Sequence, residues 1–129
     1  MIGIIAIGSA VGGVARYLIG LLGLRWFGVG YPVGTLFVNL TGSLLIGFVM
    51  RYATEPGSLS NAARAFLVVG ICGGYTTFSA FSYETIGMLQ NGAVGKAAGY
   101  MVASVSLALA GTLVGMGLAS SLIELRRLG

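Results

Sequence analysis

The residues with the most chemistry in this chain lie consecutively: Cys72-Gly73-Gly74-Tyr75-Thr76-Thr77-Phe78-Ser79-Ala80-Phe81-Ser82-Tyr83-Glu84. A glycine pair, a run of hydroxyls, two phenylalanines and a carboxylate interrupt a stretch otherwise apolar enough to span a bilayer. Lipid has no water to satisfy backbone N–H and C=O groups, so loosened helix is tolerated at membrane depth only where protein buries it or it lines a wet cavity. Glu84 points the same way, because an unpartnered carboxylate at that depth costs roughly several kcal/mol. Two kinds of ion chemistry follow. Carbonyls freed by an interruption near Gly73-Gly74, within residues 73–77, are hard oxygen ligands for a small cation. Phenylalanine ring edges carry the positive end of the aromatic quadrupole. With hydroxyls and amide N–H groups they can replace the water around a small anion, whereas a buried Lys or Arg would hold it too tightly for flow.

The elements that must position these groups are transmembrane helices. Of 129 residues, 57% are hydrophobic and 8% charged. Four apolar stretches, about residues 2–23, 32–52, 62–90 and 94–122, match the roughly 20 helical residues that cross a hydrocarbon core. The chain therefore reads as one all-α integral membrane domain over residues 1–129, with no repeat array. The first stretch lacks the basic start of a secretory signal and is followed by three more spans, so it is taken as the first mature helix. The third is longer than a straight span needs, which fits a helix broken at its centre. One side would carry Arg51, Arg64, Arg126 and Arg127 and the other Arg25 and Lys96, with Arg16 inside the first helix. So modest a bias suits either a fixed orientation or insertion in both directions as an antiparallel homodimer. The formal charge of +4 is what membrane topology and anionic headgroups select, and it requires no nucleic-acid partner. There is no Asp and no His, which excludes metal clusters built on them and His-based catalysis. No nucleophile and base can be paired, so the chain reads as a non-enzyme. The lone Cys72 excludes an intrachain disulfide and reads as a small packed hydrophobe.

Small residues recur every fourth position: Gly8, Gly12, Arg16 and Gly20 in the first helix, Thr35, Asn39, Ser43 and Gly47 in the second, and Gly111, Gly115 and Ala119 in the fourth. Such stripes let backbones approach where lipid gives helices no hydrophobic reason to associate. Arg16 rides on the small face of its helix, where it can hold carbonyls or snorkel to an interface, a structural role. Asn39 can glue helices together or donate to an anion. Phe78 and Phe81 share a face, which in most helices is core packing, but here Thr76, Thr77, Ser79 and Ser82 surround them. Tyr100 and Ser104 share a face of the fourth helix, with Thr112 two turns further on. Transmembrane hydroxyls also bond back to their own carbonyls, so each alone is a weak signal.

Three motifs together resemble the Fluc (CrcB) family of bacterial fluoride channels, over essentially the whole chain. They are Gly-x-x-x-Gly-x-x-x-Arg at Gly8, Gly12 and Arg16, Pro-x-Gly-Thr-x-x-x-Asn at Pro32 to Asn39, and Gly-x-Cys-Gly-Gly-x-Thr-Thr-Phe-Ser-x-Phe-Ser-x-Glu at Gly70 to Glu84. The resemblance implies an antiparallel, dual-topology homodimer in the cell inner membrane, with two fluoride pores and one structural Na⁺ on the two-fold axis, exporting cytoplasmic fluoride passively and so conferring resistance. Phe78 and Phe81 match the pore-lining pair, Asn39 the amide at the ion path, and Gly73 and Thr76 the residues whose backbone carbonyls hold Na⁺. Ser79 and Glu84 match the polar positions flanking the phenylalanines, and Tyr100, Ser104 and Thr112 fall on the polar track of the fourth helix. Ala108 stands where the track often has Ser and Ala80 where some members have Thr, which implies a drier track or a slightly displaced path. The alternative is a small proton-coupled multidrug exporter of dual topology, whose carboxylate belongs in the first helix, where this chain has none. A membrane scaffold subunit would need the glycine stripes but not residues 72–84.

Overall fold

A computed structural model describes residues 1–129. Its elements are α1 (Ile2–Phe27), α2 (Val33–Tyr52), α3 (Asn61–Arg64) running into a π-helical segment (Ala65–Cys72), α4 (Gly73–Tyr75), α5 (Phe78–Gln90) and α6 (Val94–Leu128). Four spans are long and apolar enough to cross a membrane: Ile2–Phe27, Val33–Tyr52, Asn61–Gln90 and Val94–Leu128. The third is assembled from α3, the π segment, α4 and α5.

Helix ends are set by backbone partners as much as by hydropathy. α1 runs past residue 23 to Phe27, where Gly28 takes a left-handed conformation (φ 71°) and returns its N–H to the Leu24 carbonyl. A side chain with a Cβ adopts that conformation only under strain. Val33 N–H then bonds to Tyr31 O at 2.8 Å around Pro32, and this three-residue turn starts α2 at once. At the far end of α5, Gly92 (φ 73°) bonds to Leu89 O and Ala93 to Met88 O, the paired bonds of a Schellman stop. α6 outruns the apolar limit near residue 122 by more than a turn. Its 35 residues span about 52 Å against a hydrocarbon core of about 30 Å. The projecting end is tied down: Arg127 donates to both carboxylate oxygens of Glu55 at 2.9 and 2.8 Å, Arg126 donates to the Tyr52 hydroxyl, and Arg51 Nε donates to Ser120 Oγ at 2.9 Å.

Between the helices the seams are glycine. A Cβ on Gly8 would lie 2.8 Å from the Phe66 carbonyl oxygen and 2.9 Å from Gly70 Cα, so α1 and the π segment meet backbone to backbone. α2 and α6 meet the same way. A Cβ on Gly111 would lie 2.9 Å from Leu40 O, one on Gly115 would overlap Leu44 O, and one on Gly47 would overlap Thr112 O. Dispersion at such short range is what holds helices together in lipid.

In the third span, helical geometry stops at Thr76 (φ −75°, ψ 156°) and Thr77 (φ −151°, ψ 113°), both extended. Gly73 and Gly74 are not where the chain opens, since both lie in α4 and Gly73 has φ −63° and ψ −38°. Of the pair, Gly74 is required by space and neither glycine by backbone freedom. A Cβ on Gly74 would sit 2.5 Å from Ser9 O on α1, while Gly73 faces open room, with only Val68 O at 3.8 Å.

Overpacking a seam forces helices apart at a cost of about 1–3 kcal/mol. Gly115→Ala should therefore lower the thermal unfolding midpoint in detergent, whereas Gly117→Ala, on the same helix with nothing within 4 Å, should leave it within measurement error.

Candidate functional site

Every backbone group released at Thr76 and Thr77 must find a partner or remain exposed in an apolar medium. The Asn39 side chain supplies two. Its Oδ1 accepts the Thr77 N–H at 2.8 Å and its Nδ2 donates to the Thr77 carbonyl at 3.0 Å, so one amide bridges both polar groups of one residue. This fixes which end of the amide points where, and leaves the second Nδ2 hydrogen free. Thr77 itself is buried, and its Oγ1 caps α5 by accepting Ala80 N–H at 3.1 Å. Thr76 sends both its N–H (3.0 Å) and its Oγ1 (2.9 Å) to Cys72 O.

The carbonyls are left over. In a trans peptide C=O and N–H point in opposite directions, so holding the Thr77 N–H on Asn39 aims the Thr76 carbonyl away from Asn39. That carbonyl accepts no hydrogen bond, and neither Thr76 nor Thr77 donates to Gly73 O.

Between α2, the third span and α6 lies a cavity of about 430 Å³, whose walls include Asn39, Thr76, Thr77, Phe78, Phe81 and Ser104 but no Lys or Arg. Ser104 is buried and its Oγ has no hydrogen-bond partner. From the cavity an aromatic series leads inward, with ring centroids 5.4 Å apart for Phe78 and Phe81, 5.3 Å for Phe81 and Tyr100, and 5.5 Å for Tyr100 and Tyr31, the last pair edge to face. At its end Glu84 accepts the Thr35 hydroxyl on one carboxylate oxygen at 2.7 Å and the Tyr100 hydroxyl on the other at 2.6 Å. Glu84, Thr35, Tyr31 and Tyr17 in turn face a second cavity of about 500 Å³, at the end of the bundle formed by the α1–α2 turn. Two cavities thus flank one aromatic and hydroxyl layer. That layer is lined by rings, hydroxyls and an amide, and its one carboxyl group already holds two hydroxyls.

The structure brings Asn39, Phe78, Phe81, Glu84, Tyr100 and Ser104 into this one series. Gly73 and Thr76 line the first cavity, and Ala108 forms part of its wall. Ser79 is exposed beside Thr77, with the two hydroxyls 3.2 Å apart. Thr112 lies outside the cavity, bonding to Ala108 O at 3.1 Å and Ser43 O at 3.3 Å, and packs against Gly47. Arg16 pairs with neither Glu55 nor Glu84, and its buried Nε has no partner. Sequence reasoning missed Thr35 and Tyr31 as partners of the Glu84–Tyr100 pair, and Thr77 as the residue Asn39 holds. Thr35 lies one turn before Asn39 on the same helix face, which was a usable signal, whereas nothing local marks Tyr31.

A family model described as CrcB-like protein, Camphor Resistance (CrcB), matches residues 3–116. The chain is 50% identical over 112 residues to the fluoride-specific ion channel FluC of Nitrobacter winogradskyi, covering 87% of this chain and 89% of that one. It is 47% identical over 120 residues to a fluoride-specific ion channel FluC of Thermus thermophilus, covering 93% and 95%. Against the protein of the same name from Rhizobium meliloti it is 42% identical over 120 residues, covering 93% and 96%.

A buried N–H and C=O that lose their partner cost about 1–3 kcal/mol. Asn39→Ala should accordingly destabilise the protein by that order and speed amide hydrogen exchange in the segment around Thr77, while exchange in α1 stays unchanged.

Proposed function

The chain belongs to the CrcB family, and on that premise we propose that it is a fluoride-specific ion channel, a multi-pass protein of the inner membrane that lets cytoplasmic fluoride leave passively. The observation that carries this reading is the layer between the two cavities. A small anion there meets the spare Asn39 N–H, the unpartnered Ser104 hydroxyl and the rings of Phe78 and Phe81, which can replace water without a trapping positive charge. Beyond Phe81 the available donors are Tyr100 and Thr35, both spent on Glu84. An anion can pass only by taking over a hydroxyl from the carboxylate, so Glu84 keeps those donors oriented without lending them permanently. Ser79 extends the donor set at the exposed edge, and Thr112 stays at the margin of the path. No helix-1 carboxylate is present for the proton-coupled exporter, and Glu84 is engaged by two hydroxyls.

A single copy is incomplete in lipid. Phe78 is 78% exposed, Ser79 and Gly73 are exposed, and the Thr76 carbonyl is unpaired. Polar backbone at membrane depth needs protein cover, and a second copy supplies it, as the antiparallel, dual-topology homodimer that so modest a Lys and Arg bias allows. The Gly73 and Thr76 carbonyls of two copies would then hold Na⁺ in an uncharged oxygen cage. The fit rests on the unpaired Thr76 carbonyl, on Gly73 O, which neither Thr76 nor Thr77 bonds, and on the absence of any His, Cys, Asp or Glu cluster for another metal. Bound there, Na⁺ would offset converging carbonyl dipoles.

Fluoride efflux from liposomes, with chloride in parallel, tests the reading. Wild type should pass fluoride faster than chloride. Phe78→Ile and Phe81→Ile keep apolar volume but lose ring edges worth about 1 kcal/mol or more each, so each should slow fluoride flux by roughly fivefold or more in a folded dimer. Full flux in both would reduce the rings to packing.

A further inference from the structure

We infer that Tyr75 and Thr41 form a second tie across the extended step and act as positioning residues for the Thr76 carbonyl. The inference rests on the reading of that carbonyl as a cation ligand. The Tyr75 hydroxyl lies 2.8 Å from Thr41 Oγ1. Thr41 has one hydroxyl proton, and it is committed to its own helix, with Phe37 O at 2.8 Å and Val38 O at 3.3 Å. Tyr75 is therefore the donor. Asn39 and Thr41, two residues apart on α2, thus hold Thr77 and Tyr75, two residues apart on the third span, one on each side of Thr76.

Thr76 has nowhere else to turn. Its N–H and hydroxyl are spent on Cys72 O. Its methyl sits against Gly42, where a Cβ would overlap it and come within 3.1 Å of the Tyr75 ring. Asn39 fixes the peptide plane that follows Thr76, and the Tyr75 tie fixes the chain that precedes it. The Thr76 N–H to Cys72 O bond is the last rung of the helical ladder, and beyond it the carbonyl direction is set by the two ties to α2. Releasing Tyr75 leaves the upstream side held only by the two Thr76 bonds to Cys72 O and no longer tied to α2, while the Asn39 clamp and the aromatic series stay intact. The expected defect is therefore in cation affinity and not in anion choice.

The test is the thermal unfolding midpoint of the purified dimer against Na⁺ concentration, with N-methylglucamine as replacement at constant ionic strength, alongside fluoride and chloride efflux. The variants are Tyr75→Phe, Thr41→Val, Thr41→Ser and the Tyr75→Phe/Thr41→Val double. One neutral hydrogen bond lost should raise the Na⁺ needed for half of the stabilisation about fivefold in Tyr75→Phe and in Thr41→Val. The double should shift no further than either single, because both remove the same bond. Thr41→Ser should track wild type, and fluoride should stay ahead of chloride in all four. Unshifted Na⁺ midpoints, a uniform loss of stability at every Na⁺ concentration, or additive shifts in the double would overturn the positioning role. A wild type indifferent to Na⁺ would instead remove the cation site itself and this inference with it, a failure visible before any variant is compared.

Discussion

A planar trans peptide must send its C=O and N–H in opposite directions, and at the Thr76–Thr77 peptide this constraint couples the two faces of the site. Once Asn39 accepts the Thr77 N–H, the Thr76 carbonyl is turned outward, away from the cavity amide. The same amide closes on the Thr77 carbonyl, so the extended residue is satisfied without the helical ladder. α5 then restarts on the Thr77 cap and delivers Phe78, Phe81 and Glu84 from its first two turns. One side chain on α2 thereby sets the backbone of the third span, the direction of its free carbonyl and the start of the aromatic series. The amide satisfies Thr77 and keeps one N–H for the cavity, which no hydroxyl or carboxylate in its place could do together.

That coupling depends on helix spacing. Asn39 can reach Thr77 only because Gly42, one turn later, lets Thr76 and Tyr75 press against α2. Tyr100 and Ser104 can face the same layer only because Gly111 and Gly115 bring α6 onto the carbonyls of Leu40 and Leu44. The glycine seams are the packing interaction, and the polar layer sits between the two cavities where the helices part. The tie of Arg127 to Glu55 at the projecting end of α6 lies at the surface, where an ion pair contributes little. It anchors the helix end and leaves the site to the seams.

Much of this was legible in the sequence because membrane helices announce themselves by length, and small-residue spacing announces their contacts. Gly8, Gly12, Gly47, Gly111 and Gly115 all lie in seams. The polar character of residues 72–84 was legible as well, although Thr76 and Ser82 each return a hydroxyl to a carbonyl of their own segment, the commonplace use of such groups. The site of the opening was harder. A glycine pair suggests backbone freedom, yet Gly73 and Gly74 are helical and the chain opens at two threonines, because what decides the step is a partner for Thr77 on a distant helix. Asn39 could be seen as glue or as a donor, and only geometry shows one amide doing both. Tyr31, Thr35 and Thr41 are met across helices, so no spacing within their own segment reveals them.

The Asn39 amide joins both faces of the site, and fluoride efflux at neutral pH from liposomes carrying Asn39→Asp measures its part. The carboxylate can still accept the Thr77 N–H but faces the Thr77 carbonyl without a proton to give, and it places negative charge on the proposed anion path. The variant should still form its helices but pass no fluoride above background. Near-normal flux would contradict it and confine Asn39 to holding helices together.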